Sequence, residues 1–336
     1  MVAHAIAYAI LLCTALVGNL LVVLVIQQNK KMRTTVNYFI FNMSLSDLII
    51  PTVVIPFKLF SITTGSLAWT VHGALGEFLC KFFYFVSDIT PPVSILSLVF
   101  MTVDRFYAVV YPMKAALIPR GYRIVVIILT WIISMAVFSP YFYGLGLYKM
   151  GTQWYCIPTW SESSHKVFST TVCIIFIIVP FTVLTVLYTA ILVTLRRSRG
   201  AGEELEVQKQ RRAKRNVAVI KLAFTIVVAF AVCWGPYNTV VFIQIFSLLD
   251  FQARPELLCS WPSVQAVAQF LAYANTAINP LIYFILNENY RQGLKRAVTK
   301  TIYGRRQAWL EMTGAPQSAY RGGGSERKIS GRSRNS

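Results

Sequence analysis

Charged residues are scarce in this chain of 336 residues. Only 13% are Asp, Glu, Lys or Arg and 56% are hydrophobic, whereas about 25% of a soluble domain is charged. The three histidines, His4, His72 and His165, have no metal-ligand spacing, and no phosphate-binding glycine loop occurs. These absences argue against a soluble domain and against an enzyme. The chain also lacks a repeat at a fixed period and two matching halves, which argues against the alternative of a membrane transporter.

Long apolar runs are what the chain has instead, each near the roughly 20 residues that cross a bilayer. There are seven: Ala5–Ile26, Asn37–Phe60, Phe78–Val110, Ile124–Tyr141, Val167–Leu195, Lys214–Ile245 and Ser263–Ile285. The first run has no basic start and no cleavage site, so we expect a span and not a signal peptide. We predict an all-α membrane protein with a seven-helix bundle over 1–286. A membrane-parallel amphipathic eighth helix over 287–300 and a disordered cytoplasmic tail over 301–336 should follow.

The net charge of +19 is concentrated after alternate runs. Of the 32 lysines and arginines, 27 follow the first, third, fifth and seventh runs or the adjoining helix ends; the others are Lys58, Lys81, Lys149, Lys166 and Arg254. Basic loops stay on the cytoplasmic side of a membrane. We therefore expect an outer N-terminus, a cytoplasmic C-terminus and no nucleic-acid partner.

Polar side chains inside the runs need a reason because they are costly in hydrocarbon. Several belong to motifs that occur in a fixed order: Gly18-Asn19, Leu45-Ser46-Asp47, Asp104-Arg105-Phe106, Trp131, Phe176 to Pro180 with Tyr188, Cys233-Trp234-Gly235-Pro236, and Asn279-Pro280-Leu281-Ile282-Tyr283. With these motifs the chain resembles a rhodopsin-like (class A) G-protein-coupled receptor, and it is most similar to the neuropeptide receptors. The resemblance implies a multi-pass plasma-membrane receptor that activates a heterotrimeric G protein and whose tail could bind arrestin.

Two further features are implied by the resemblance alone. The first is a disulfide between Cys80 and Cys156, which leaves Cys259 over; the three cysteines on the predicted outer side by themselves allow three pairings. The second is a sodium ion held by Asp47, Ser94, Asn275 and Asn279 as an allosteric ligand, with no covalent cofactor. A hydrogen-bonded network without an ion is the alternative. Hard cations take oxygen ligands of this kind.

Two prolines mark the predicted hinges. Pro236 and Pro280 lack an N–H, so the carbonyls of Val232 and Thr276 need other partners. The resemblance implies that Trp234 and Phe230 repack when a ligand binds, and that Tyr188 and Tyr283 pair in the active state. It also implies that Asp104 holds Arg105 until Arg105 meets the G protein.

The ligand is less constrained by the residues. Opsins carry a lysine where Tyr273 stands, and amine receptors carry an aspartate where Ser87 stands, one residue before Asp88. Pro91 and Pro92 withdraw two backbone donors from the third run, which could bulge or kink the helix. We expect the ligand to contact eight residues: Asp88, Ser87, Trp234, Tyr237, Asn238, Gln265, Gln269 and Tyr273.

The second outer loop, from Tyr141 to Lys166, is long and aromatic. A hairpin over an open pocket, as in neuropeptide receptors, favours a peptide ligand. An amine or another small polar ligand, and a lipid beneath a closed lid, are the alternatives. The triplet at Asn42 resembles a glycosylation acceptor but lies within a span, so we expect no glycan there.

Overall fold

Seven helical spans form the chain in the computed structural model, which describes residues 2–115, 119, 121–200, 207–246, 255–296 and 299. Each span is defined by its helices: first, α1 (Val2–Gln28); second, α2 (Thr35–Asp47) and α3 (Ile55–Thr64); third, α4 (Gly73–Val110); fourth, α6 (Tyr122–Phe138); fifth, α8 (Glu162–Cys173) and α9 (Val179–Gly200); sixth, α10 (Val207–Ile245); seventh, α11 (Pro255–Leu286). Short helices α5 (Pro112–Ala115) and α7 (Tyr141–Gly144) flank the fourth span, and a 3₁₀ turn covers Lys30–Met32. The predicted seven-helix architecture is confirmed.

The composition of the spans explains their helices. Apolar runs leave no side chain to satisfy the backbone in hydrocarbon, so each run must bond its own N–H and C=O groups. Among the described residues, the first six spans are long and apolar enough to cross a membrane by length and composition. The seventh span, Pro255–Leu286, is less apolar because it contains polar side chains such as Gln265, Asn275 and Asn279.

Two spans contain a π-helical turn, in which one residue more than usual fits into the turn. In the second span the π-turn covers Ile50–Val54 and contains Pro51. In the fifth span it covers Ile174–Ile178 and is followed by Pro180. A proline cannot donate to the preceding turn, and a widened turn accommodates that missing bond.

The third span is a continuous α-helix across Pro91 and Pro92. The helix is not interrupted there and contains no π-turn, and the kink that the two prolines could cause stays a prediction. The freed carbonyl of Ser87 accepts a hydrogen bond from the Thr90 hydroxyl at 3.2 Å, which supplies part of what the prolines withdraw. The offset between Ser87 and Asp88 therefore persists through a regular helix.

Packing separates a shared interior from an apolar exterior. A core cluster runs between the spans and includes Met43, Leu98 and Ile226, all buried. Large apolar side chains such as Val186 and Val232 are exposed on the outside. A surface of this kind suits contact with lipid chains.

A two-stranded antiparallel hairpin connects the fourth and fifth spans. Strand β1 (Leu145–Met150) pairs with β2 (Gln153–Pro158), with Leu147 opposite Cys156. Gly151 occupies the turn with a φ of 61°, a left-handed conformation that glycine adopts without strain. The predicted hairpin is confirmed, and we call this side of the bundle the hairpin end.

The predicted amphipathic helix over 287–300 stays a prediction. Residues 288–296 are helical, whereas 297, 298 and 300 lie outside the described residues, as does the tail from 301.

Candidate functional site

A cavity of about 780 Å³ opens between the third, fourth, fifth and sixth spans. Its walls are mostly aromatic and aliphatic, with few polar groups. Of the predicted ligand residues, four line it: Asp88, Trp234, Tyr237 and Asn238. The size and the apolar walls with few polar groups are typical of a ligand-binding cavity.

Asp88 is the acidic side chain on this cavity wall. The hydroxyl of Tyr141 donates to its Oδ2 at 2.7 Å. The phenols of Tyr84, Tyr237 and Tyr273 lie close enough to interact with Asp88 electrostatically. Asp88 therefore has a neutral phenol, that of Tyr141, as its hydrogen-bond partner, and no described basic group compensates the charge of the carboxylate.

Four predicted ligand residues lie outside the lining of this cavity: Ser87, Gln265, Gln269 and Tyr273. The Ser87 hydroxyl donates to the carbonyl of Phe83 at 2.7 Å. The Gln269 amide donates to the Tyr273 hydroxyl at 3.2 Å and also interacts with Tyr237. Gln269 and Tyr273 form the seventh-span side of the group of polar residues around Asp88, and the contact of all four residues with a ligand stays a prediction.

The hairpin is fastened to the third span. Cys80 and Cys156 form a disulfide with their Cα atoms 5.7 Å apart, which confirms the predicted pairing. Cys156 lies in the middle of β2, and the Trp69 backbone N–H donates to the Trp154 carbonyl on the same strand at 2.7 Å. Cys259, the remaining cysteine on this side, has a side chain outside the described residues.

A buried polar cluster surrounds Asp47 in the middle of the bundle. The Asn279 amide donates to Asp47 Oδ2 at 2.9 Å, and the Ser94 hydroxyl approaches Oδ1 at 3.4 Å. Ser46 Oγ lies 3.1 Å from Ser94 Oγ, although Ser46 was not among the predicted ion ligands. Asn275 Oδ1 accepts from the Asn279 amide at 3.4 Å. All four predicted ion ligands are thus in one place.

Unsatisfied oxygens remain in and beside this cluster. Asn279 Oδ1, Asn19 Oδ1 and Ser44 Oγ are buried and have no hydrogen-bond partner among the described residues. Buried polar atoms ordinarily have partners. A carboxylate with several neutral oxygens is a donor set that a hard cation accepts, so the residues fit a hydrated sodium ion.

The carbonyl that Pro280 frees in the seventh span has another partner, as predicted. Pro280 frees the carbonyl of Thr276, and the Asn19 amide of the first span donates to that carbonyl at 2.8 Å. A Cβ placed on Gly18 would lie 2.8 Å from Pro280 Cβ, closer than side chains approach. Gly18-Asn19 therefore lets the first span touch the proline and supplies the donor that the proline removes. Pro236 lies within the helix of the sixth span.

A column of aromatic rings runs from the cavity towards the opposite end. Trp234 lies 6.0 Å from Tyr237 and 6.1 Å from Phe230, measured between ring centroids. Deeper still, the Thr102 hydroxyl donates to the Tyr188 hydroxyl at 3.3 Å. Tyr283 packs against Tyr290 at 5.9 Å, and its hydroxyl has no partner among the described residues. Tyr188 and Tyr283 therefore have different neighbours here.

Arg105 lies at the end of the third span opposite the hairpin. Its Nε donates to Asp104 Oδ2 at 3.0 Å, and a terminal guanidinium nitrogen contacts the same oxygen. Both side chains are about one-fifth exposed. The predicted partner thus holds Arg105, and a competing partner at this end could displace it.

Three contacting residues were missed because only the fold brings them together. Tyr141 reaches Asp88, Asn42 receives the Trp131 indole N–H at 2.8 Å, and the Tyr290 hydroxyl donates to Asn37 Oδ1 at 3.2 Å. The unexplained Asn42 within a span was the one available signal, and its side chain is buried.

A seven-helix membrane bundle with a ligand-sized cavity at one end and a releasable arginine at the other has the layout of a transmembrane receptor. Residues 18–283 match the family described as "7 transmembrane receptor (rhodopsin family)", and the chain belongs to that family. It therefore acts as a receptor and not as an enzyme.

Relatives in the same family carry the names of peptide receptors. A "QRFP-like peptide receptor" of Branchiostoma floridae is 30% identical over 296 residues, which are 85% of this chain and 74% of the relative. The "Substance-P receptor" of Homo sapiens is 28% identical over 300 residues, 87% and 69% of the two chains. The "Galanin receptor 2b" of Danio rerio is 26% identical over 295 residues, 87% and 73%.

Proposed function

We propose that this chain binds an extracellular peptide in the cavity at the hairpin end and activates a heterotrimeric G protein at the Arg105 end. The observation that carries the proposal is the uncompensated Asp88 in a cavity of about 780 Å³ with aromatic walls. A carboxylate in that position favours a ligand with an arginine, a lysine or an amine. The names of the relatives favour a peptide.

The hairpin further favours a peptide over a lipid. Its strands present exposed aromatic and apolar side chains, among them Tyr148 and Met150, which offer contact area to an extended segment. An amine is the second candidate because Asp88 alone could pair with it. The apolar walls of the cavity would also suit a lipid, but Asp88 favours a cationic ligand.

Activation follows from the column of rings and the hinges. A ligand that presses on Trp234 changes the contact between Trp234 and Phe230, which lies one turn deeper in the sixth span. Since Pro236 lies two residues beyond Trp234, the sixth span bends there at little cost. Movement of the sixth span would expose the face that Arg105 reaches once it leaves Asp104. Binding at one end is then coupled to the other by a two-state packing.

The Asp47 cluster would hold a sodium ion in the resting receptor. Asp47, Ser94, Asn275 and Asn279 would be its ligands, directly or through water. When bound, the ion supplies the positive charge that this buried carboxylate lacks. Asn279 directly precedes Pro280, so a bend at this proline would move Asn279. A movement that brings the ligands closer together would oppose sodium binding.

The chain would lie in the plasma membrane with the hairpin end outside. The distribution of lysine and arginine supports this orientation, and it places the N-terminus outside and the C-terminus inside. A disulfide between Cys80 and Cys156 suits the oxidising outer side. Arrestin would bind at the same cytoplasmic face, through the tail.

A ligand screen tests the proposal. Cells that express the chain are exposed to amidated peptides, amines and lipids, with calcium and cyclic nucleotide measured together. We expect peptides with a basic residue to activate the wild-type chain and to lose at least tenfold in potency on Asp88→Asn. The matched control is Glu77→Gln, which removes an exposed acid that pairs with Lys81. Activation by lipids alone, or equal potency on Asp88→Asn, would contradict the proposal.

A further inference from the structure

Lys58 is a basic side chain on the interior face of the second span. One turn below it, Val54 and Ile55 are 1% and 0% exposed, and one turn above it Ser61 is 8% exposed. Pro56 and Phe60, on the other faces, are exposed. Positions three and four residues apart share a helix face, so Lys58, itself half-buried, lies on the face that packs into the bundle.

Lys58 has no counter-charge among the described residues. The acidic side chains described towards the hairpin end are Glu77, Asp88 and Glu162. Glu77 pairs with Lys81 at 2.8 Å and Glu162 pairs with Lys166 at 2.5 Å, while Asp88 is held by a tyrosine. In the described part of the chain Lys58 also has no hydrogen bond.

Lys58 lies closer to the hairpin end of the bundle than Asp88 does. Phe57, the neighbouring residue, packs against Phe83 of the third span with ring centroids 4.8 Å apart. Asp88 lies five residues further along that helix, which is about 7.5 Å deeper at roughly 1.5 Å per residue. The bundle therefore contains a shallow cation on the second span and a deeper anion on the third.

An uncompensated charge facing the interior is costly to the empty protein. A ligand that brings a carboxylate to Lys58 removes that cost, and charge-assisted hydrogen bonds are among the stronger ones. A ligand with a neutral or basic group in the same place would not form this bond.

We infer that Lys58 binds a carboxylate of the peptide ligand, so that the receptor selects peptides with an acidic group near the segment that enters the bundle. The inference rests on the proposed function and adds the charge of the ligand to it. The carboxylate is either an Asp or Glu side chain or a free C-terminus, since both present the same group to the lysine.

The test uses four mixtures of synthetic decapeptides, otherwise matched in composition. The first has one glutamate and an amidated C-terminus, the second glutamine in its place, the third lysine in its place, and the fourth glutamine with a free C-terminal acid. G-protein activation is measured in cells with matched surface levels of wild type, Lys58→Met, Lys58→Glu and the control Lys81→Met.

We expect wild type and Lys81→Met to respond to an acidic mixture at a concentration at least tenfold lower than to the second mixture. Preference for the first mixture identifies a side chain, and preference for the fourth identifies the C-terminus. Lys58→Met should lose the preference and Lys58→Glu should shift it to the lysine mixture. Equal responses of wild type to all mixtures overturn the role of Lys58 but leave the peptide receptor intact. Silence of wild type towards all four overturns both.

Thermal unfolding of the purified, ligand-free protein gives an independent readout. Because Lys58 has no partner, Lys58→Met should unfold at the same or a higher temperature than wild type. A clear decrease would show that Lys58 is bound within the protein, which would overturn the inference whatever the peptides do.

Discussion

Asn42 joins three spans through one amide, and its removal should destabilise the bundle by a predictable amount. Its Nδ2 donates to Ser97 Oγ at 2.9 Å and to Thr130 Oγ1 at 3.3 Å, and its Oδ1 accepts from Trp131 Nε1 at 2.8 Å. After Asn42→Ala both hydroxyls keep a bond to a backbone carbonyl of their own helix at 2.7 Å. The indole N–H has no such second partner.

The expected loss follows from these contacts. A hydrogen bond between membrane helices contributes about 0.6 kcal/mol on average and at most about 1.7 kcal/mol. An unsatisfied buried donor adds about 1 kcal/mol. Asn42→Ala should therefore lower the free energy of unfolding by about 2 to 3 kcal/mol. At roughly 2 °C per kcal/mol for a chain of this size, the unfolding temperature should fall by roughly 4–6 °C.

The assay is thermal unfolding in detergent, followed by a thiol-reactive dye that reports exposure of the buried Cys233. Trp131→Phe and the double variant complete a double-mutant cycle, in which we expect a coupling of about 0.6 to 1.7 kcal/mol. Asn238→Ala is the control, because its amide bonds only to Trp234 of its own helix. A coupling near zero, or equal losses for Asn42→Ala and Asn238→Ala, would refute the reasoning.

Three further predictions concern the site. Arg105→Ala should abolish ligand-driven G-protein activation at preserved surface expression, and unchanged signalling would contradict its role. Ligand binding should remain, because Arg105 lies 17 residues from Asp88, about 25 Å of helix. Asp47→Asn should remove any dependence of ligand affinity on sodium chloride relative to choline chloride, and a dependence that persists would place the ion elsewhere. Tyr290→Phe should lower the unfolding temperature by roughly 2–4 °C, since it leaves Asn37 Oδ1 buried without its donor; an unchanged temperature would show that this bond contributes nothing.

The lengths of the apolar runs and the sequence motifs were enough to predict much of the fold. An apolar run that crosses a membrane forms a helix because it must bond its own backbone groups. The spans nonetheless extend beyond the predicted limits where polar ends continue the helix, as at Glu162 and Pro255. Helix hydrogen bonds do not stop where the hydrophobic side chains do.

Contacts between spans were harder to foresee. Tyr141 and Asp88 are 53 residues apart, and their meeting depends on how two helices are rotated about their axes. The stripe of Gln265, Gln269 and Tyr273 was correctly spaced along one helix face. The cavity, however, lies between four other spans, and no spacing within a helix reveals which neighbour its face meets.

The π-turns at Ile50–Val54 and Ile174–Ile178 affect how this chain can be aligned with its relatives. Each turn accommodates one residue more than an α-helical turn, so the same stretch in a relative can be one residue shorter without a change of length in the membrane. An alignment without a gap at that turn would pair each residue beyond it with a position about 100° away around the helix. Lys58, a few residues beyond the first π-turn, would then be compared with a residue on another face of the helix. In an alignment without gaps, positions on the hairpin side of either π-turn consequently correspond in space only where both proteins contain that turn.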